Sequence, residues 1–387
     1  MTGTLALVES PVQLLNVLEW AHRRRDGGAG GATVPTTPTT GPTGPRTPGP
    51  EGATAARRPE DPPDAEGRGE GTLRIAVLPP SDAVGRGQLI AMAGLARAEG
   101  HPVRGYPARG SASALARCLL ALAPAVATAR HLVLGDPFSG LAQTLLPLAR
   151  GAREITVVDD GTATMEFVSL LGAGRPLVRW HHTGDARSSA ARATRLLSPR
   201  RGRRIELFSS MPVTAPPDVL HTVNAYDWAR SRYGPPRITP GVDMVGSSLV
   251  ETGVVDRDRY LDGVATLVRT LGVTRYLAHR REDDDKLAVL AGRTGVRVVR
   301  PELPLELEAR RGPTAARIVS FPSTVVHTLP VALAGTGAAV EVLDVDPAWL
   351  TSTASDRARS FLATVVGTAR GPRRLDAVRA PTRLPAT

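Results

Sequence analysis

Short apolar runs, many of them β-branched, recur along this chain, and between them apolar positions return every three or four residues. The first pattern marks strands buried on both faces, and the second marks helices with one buried stripe. Strands are predicted over 5–8, 74–78, 102–106, 131–134, 155–158 and 204–208, and again over 242–245, 274–277, 296–299, 316–320 and 338–343. Strands that alternate with helices in this way predict parallel sheets with helices on both faces. The expected fold is therefore α/β, with two Rossmann-like domains over 1–213 and 241–387 joined by a Pro-rich connection over 214–240.

One stretch breaks the pattern. Of the 45 residues of 27–71, 20 are Gly or Pro, and Val34 is the sole large aliphatic. That exceeds the roughly 25–30% at which Pro and Gly mark disorder, so a disordered insertion in the first domain is expected.

Sheets of this kind bind ligands at the carboxyl ends of their strands. Polar segments fall at six such ends: SPVQLLN (10–16), GDPFSG (135–140), DDGT (159–162), GSSLVE (246–251), AHRRE (278–282) and FPSTVVHT (321–328). Three of them have a plain alternative. Asp160 or Thr162 suits helix capping, and so do Ser323 and Thr324. The acids after His279 suit a helix N-terminus. Capping and anion binding share a cause, however, because free N–H groups attract phosphate as well as side-chain oxygens. A His with two arginines also suits a phosphate. His327, one turn into its helix, reads as a packed residue.

Other signals carry less. GTGAAVEV precedes a strand and so is not a dinucleotide loop, and neither a phosphate-loop nor a nucleophile-elbow motif occurs. WHHTGD (180–185) places two adjacent His on different faces with no third ligand, so no metal site is expected.

A single cysteine, Cys118, excludes disulfides and thiolate zinc clusters within the chain. The amino terminus lacks a basic region before its apolar residues, and the longest uncharged apolar run, 118–129, is too short to span a bilayer. A cytoplasmic protein is expected. Its net charge of +11 is dispersed and Arg-dominated, only 4% of residues are aromatic, and no nucleic-acid-binding motif is present. Nucleic acid is therefore not expected as a partner. Anionic substrates, or peripheral contact with the anionic inner face of a membrane, account for the same charge.

Three of the segments carry a resemblance. An acidic pair plus Gly (Asp159-Asp160-Gly161), a His after a strand (Ala278-His279) and a Ser/Thr pair at a helix start (Ser323-Thr324) occur in this order. This resembles the bacterial sialyltransferases and polysialyltransferases, whose D/E-D/E-G, HP and S-S/T motifs run in the same order. VESPVQLLNVLEW, VGSSLVETGVVD and VSFPSTVVHTLP extend the likeness, and the Arg- and Ala-rich composition suits an actinobacterial branch. Two departures are plain: Arg280 stands where the HP motif has proline, and the Ser/Thr pair follows a proline.

The resemblance implies a glycosyltransferase B fold and an inverting transfer of sialic acid, or a related nonulosonate, from a cytidine monophosphate (CMP) sugar to a glycan or glycolipid. Asp160 would be the base, with Asp159 supporting or replacing it, and the two acids would raise each other's pKa. His279 would serve the departing phosphate. Ser323, Thr324, Gly246, Ser247, Ser248 and Arg280 would bind the donor, and Ser10, Gln13 and Gly161 would lie on the acceptor side. Neither a cofactor nor a metal is implied. The rivals are a related transferase with another activated donor and a non-catalytic sugar- or nucleotide-binding homologue.

Overall fold

Parallel pairing runs through both halves of the chain. The computed structural model describes residues 3–29, 72–179, 188–369 and 373–375. The first half supplies strands β1 (Thr4–Val8), β2 (Leu73–Val77), β3 (Val103–Gly105), β4 (His131–Leu134), β5 (Glu154–Val158), β6 (Arg204–Ser209) and β7 (Val219–Val223). They form one sheet in the order β3-β2-β1-β4-β5-β6-β7. The second half supplies β8 (Ile238–Val245), β9 (Val273–Leu277), β10 (Arg297–Val299), β11 (Thr314–Ser320), β12 (Ala339–Leu343) and β13 (Arg373–Leu375), in the order β10-β9-β8-β11-β12-β13. Neighbours in both sheets are parallel.

All eleven predicted strands form, and β7 and β13 join them at sheet edges. β7 escapes the apolar-run criterion because an edge strand need not be buried: its Leu220 and Val223 are exposed.

The intervening helices are α1 (Pro11–Ala29), α2 (Ala83–Ala98), α3 (Ala112–Thr128), α4 (Gly140–Leu145), α5 (Thr162–Gly172), α6 (Ser188–Leu197) and α7 (Asp227–Tyr233) in the first half. The second half has α8 (Arg257–Leu271), α9 (Asp284–Thr294), α10 (Leu305–Arg311), α11 (Val325–Ala332) and α12 (Asp356–Thr368). Local chemistry fixes their starts. The side chains of Asp82, Ser111, Ser139, Asp256 and Ser355 accept from free N–H groups of α2, α3, α4, α8 and α12. Gly272 and Gly295 end α8 and α9 in the left-handed region. The apolar 118–129 run lies mostly in α3, which buries one stripe (Cys118, Leu122, Val126) and leaves Leu120 75% exposed.

The 27–71 segment lies outside the described residues from 30 onward, and the backbone of α1 continues through its first residues to Ala29. The 214–240 stretch holds β7, α7 and the start of β8, so it completes the first sheet as well as leading to the second. α7 packs against α1 on one side and against α10 and α11 on the other. One apolar cluster accordingly joins Leu14, Leu18 and Trp228 to Leu303, Leu307 and Ala332 across the seam. Gln88 Nε2 adds a 2.9 Å bond to the Pro301 carbonyl.

With the seam closed, the carboxyl ends of β1 and β5 oppose those of β8, β9, β10 and β11 across one cleft. Two Rossmann-like parallel sheets facing a shared cleft make up the glycosyltransferase B fold type. Among the described residues no helix is long and apolar enough to cross a membrane.

Candidate active site

Successive residues of an extended strand point to opposite sides, and the acidic pair after β5 divides accordingly. Asp159 turns inward and is 1% exposed. Its Oδ1 accepts from Thr164 Oγ1 at 2.6 Å, and its Oδ2 accepts from the backbone N–H and hydroxyl of Ser210, both at 3.2 Å. Its carbonyl accepts from Asn16 Nδ2 at 2.9 Å. This carboxylate ties β5, α5 and the chain after β6 together. Burial pushes its pKa up.

Asp160 turns to the cleft. Its Oδ2 accepts from Arg179 Nη2 at 3.1 Å, and the same nitrogen lies 2.9 Å from Asp136 Oδ2, after β4. The Arg179 guanidinium covers the Phe138 ring at 5.2 Å. Burial and the Asp136 charge raise the Asp160 pKa to about 7, against the pull of Arg179. The prominent like charge is thus Asp136, from the neighbouring strand end, in place of the adjacent Asp159 expected from the sequence. Neither Asp160 nor Thr162 caps α5, because Gly161 occupies the cap position and no side chain bonds there. Gly161 has φ +67°, and a Cβ on it would lie 2.4 Å from Thr324 Oγ1 of the other domain.

Ser10 caps α1 by accepting from the Gln13 N–H at 3.2 Å. The Gln13 side chain is buried beside Asp160, whose charged form it favours, and it accepts from the Glu9 N–H at 2.7 Å. Gly135 leaves room for it, since a Cβ there would meet Gln13 Oε1 at 2.4 Å.

On the second sheet, His279 follows β9 and donates its backbone N–H to Glu282 Oε2 at 2.6 Å. Its Nδ1 accepts from the Arg281 N–H at 3.2 Å, which leaves the ring proton on Nε2. Burial, with Arg280, Arg281 and Lys286 nearby, lowers the His279 pKa to about 4, so the ring is a neutral donor near pH 7. Beneath it, Lys286 is 1% exposed and bonds Glu251 at 2.8 Å, Glu282 at 2.9 Å and the Ser247 carbonyl at 3.2 Å. Tyr276 donates to Glu282 at 2.6 Å, and its hydroxyl is 2.7 Å from that of Tyr260. These groups fix the loops after β8 and β9 together.

Gly246 is required by that packing: a Cβ would meet Glu282 Oε2 at 2.1 Å. Ser247 accepts from the Leu249 N–H at 3.2 Å, and Ser248 offers its carbonyl to Thr252. Both serines therefore hold their own loop, and neither lines the cavity. Thr324 occupies the cap position of α11, yet no side chain caps that helix, and Ser323 Oγ is 3.4 Å from Ser320 Oγ. The two hydroxyls are thus not spent on capping, and the backbone carbonyls of Ser323 and Thr324 accept from the N–H groups of Val326, His327 and Thr328 instead. His327 is buried and uncharged, its pKa lowered by burial, as expected of a packed residue.

A cavity of about 230 Å³ gathers Ser10, Asp160 and Gly161 from the first domain and Gly246, His279, Arg280, Ser323 and Thr324 from the second. Asp159, Gln13, Ser247 and Ser248 stand behind it. Arg280 forms no ion pair among the described residues, although Asp160 and Asp82 act on it at longer range. Arg179, Lys286 and the cavity-lining Glu306 had no role in the sequence reading, Asp136 was visible only as part of a strand-end segment, and Glu282, expected to serve a helix N-terminus, instead holds the His279 N–H and Lys286.

The WHHTGD segment lies outside the described residues. Among the described ones, His131, Glu154 and Glu206 bring ligand atoms within 4.8 Å of one another, near the amino ends of β4, β5 and β6, away from the cleft. Arg24, Arg204, Thr156 and Thr222 already partner them.

No family model matches the chain, and no curated protein matches it by sequence. Solved structures match its overall path. A galactoside α-2,3-sialyltransferase from the luminous marine bacterium Photobacterium phosphoreum aligns over 96% of this chain and 98% of its own, with 8% identity and a TM-score of 0.47. A sialyltransferase from Photobacterium damsela aligns over 98% and 82%, with 10% identity and a TM-score of 0.46. Acinetobacter baumannii MurG aligns over 97% and 86%, with 9% identity and a TM-score of 0.44. Identities of this size do not extend to substrate.

Proposed function

We propose that this chain is an inverting glycosyltransferase that moves sialic acid, or a related nonulosonate, from a CMP-sugar to a glycan acceptor. One observation carries the reading: a carboxylate with its pKa near neutrality faces a neutral His, an arginine and two hydroxyls that cap nothing across one cavity. The choice of donor rests on the three motifs in the sequence.

Asp160 takes the proton of the acceptor hydroxyl, and that oxygen attacks the anomeric carbon as the bond to the CMP phosphate breaks on the opposite face, inverting the centre. The transition state has oxocarbenium character, as in glycoside cleavage. Charge then builds on the departing phosphate. Nε2–H of His279, the Arg280 guanidinium, the hydroxyls of Ser323 and Thr324 and the positive end of the α11 dipole stabilise it. Asp159 keeps the base in place and takes no proton. Ser247 and Ser248 serve the donor by shaping the loop, and Gly246 by letting that loop pack on Glu282 and Tyr276. No step calls for a metal, because the phosphate is already a leaving group held by donors.

The actinobacterial, polymerising branch is the finer form of this reading. Titration calorimetry with CMP and uridine diphosphate tests the donor: tighter binding of CMP supports it, and no preference contradicts it.

A further inference from the structure

At the far end of the first sheet from the cleft, Arg150, Arg192, Arg200 and Arg203 converge on an open pocket of about 440 Å³. Its remaining walls are apolar side chains of the turn after α4 and of α6, and no acid lines it. The contrast with a neighbour is direct: Arg204, one residue on, pairs with Glu154 at 2.7 Å, whereas none of these four arginines forms an ion pair among the described residues.

Arg203 shows that the pocket is built. It is 6% exposed, and its Nε donates to the Ala152 carbonyl at 3.0 Å while its Nη2 donates to the Ala149 carbonyl. Its Nη1 is buried with no partner. Two carbonyls thus lock the guanidinium plane with one edge bare. The turn that carries it, tightened by Gly202 at φ +78°, pairs Arg203 with Arg200 and holds the second charge beside the first. Burial and Arg200 both oppose the charge on Arg203. Like charges held this close, with an unused buried donor, are relieved by an anion with several acceptor oxygens.

We propose that this pocket binds a phosphate group, presented by a small soluble molecule or by a lipid headgroup. A tetrahedral oxyanion matches several guanidinium forks at once, and the apolar walls receive what the phosphate is attached to. The site is separate from the cleft and independent of the transferase reading.

The test uses the full chain and an Arg150→Gln/Arg192→Gln/Arg200→Gln variant, whose changes are exposed and leave the Arg203 contacts intact. Thermal unfolding is followed against inorganic phosphate, with chloride at matched ionic strength to remove general screening. Vesicles of phosphatidylglycerol and of phosphatidylcholine are tested by flotation. Phosphate should raise the midpoint saturably beyond chloride, and the variant should need at least about tenfold more phosphate for the same shift. Binding to phosphatidylglycerol vesicles that the variant loses assigns a headgroup, and a phosphate response without vesicle binding assigns a soluble ligand. Equal phosphate responses in both proteins would place the anion elsewhere, and no response to phosphate or vesicles would remove the site; either result overturns the proposal.

Discussion

Thr324 rests on the bare α-carbon of Gly161, so that a Cβ there would lie 2.4 Å from its hydroxyl oxygen and 2.9 Å from its methyl carbon. The contact sets the distance between the acidic strand end of one domain and the helix start of the other. Gly161→Ala meets both a collision and the cost of φ +67°, and should destabilise by about 1–3 kcal/mol. Combining it with Thr324→Ala should recover part of that loss. Denaturant unfolding of the four proteins of a double-mutant cycle measures the coupling, and strictly additive effects would show that the two residues do not touch.

The two adjacent acids should fail differently. Asp160→Asn should lower turnover by about 10²–10⁴ with donor affinity and stability almost unchanged, the usual cost of a positioned base. Asp159→Asn leaves Thr164 and Ser210 facing an amide, so its main defect should be in stability, on the order of 1–3 kcal/mol. Turnover and unfolding measured on both variants decide; full turnover in Asp160→Asn would remove it as the base.

The pH profile should follow Asp160. Its pKa is raised to about 7, so the active carboxylate form grows as pH rises through that value, and activity should climb with it. Asp136→Asn removes the neighbouring like charge and should move this limb to lower pH. Arg179→Gln removes the pairing cation and should move it higher. Acceptor kcat/KM against pH for the three proteins tests this, and an unmoved limb in both variants would assign it to another group.

Buried charge beneath His279 gives a stability prediction. Lys286→Met leaves Glu282 and Glu251 without their cation, and breaking a buried pair in this way costs about 3–5 kcal/mol. A loss below about 1 kcal/mol in denaturant unfolding would mean that the cluster is not held by charge.

Strand positions were legible because parallel strands buried on both faces read as unbroken apolar runs, as in 131–134 and 155–158. β7 was not legible, because its exposed Leu220 and Val223 break that logic. The site was legible as a set of strand ends, yet the roles within it were not. Alternation along the chain sends Asp159 and Asp160 to opposite sides, but which of them faces the core is decided in part by Ser210, 51 residues from Asp159. Arg179 had no local signal because its meaning lies in Asp136, 43 residues before it. Hydroxyls at 323 and 324 looked equally suited to capping and to an anion, and only the backbone geometry at α11 shows that they cap nothing.

Transfer from a CMP-activated sugar by Asp160 and His279 is read out by nucleoside phosphate release. Purified protein is incubated with a panel of nucleotide sugars, with and without a mixture of glycan acceptors, alongside Asp160→Asn and His279→Ala. CMP should be released from a CMP-nonulosonate, faster with acceptor, and about 10²–10⁴ more slowly in each variant. Release from no donor, or CMP release at the same rate in both variants as in the unaltered protein, would contradict it.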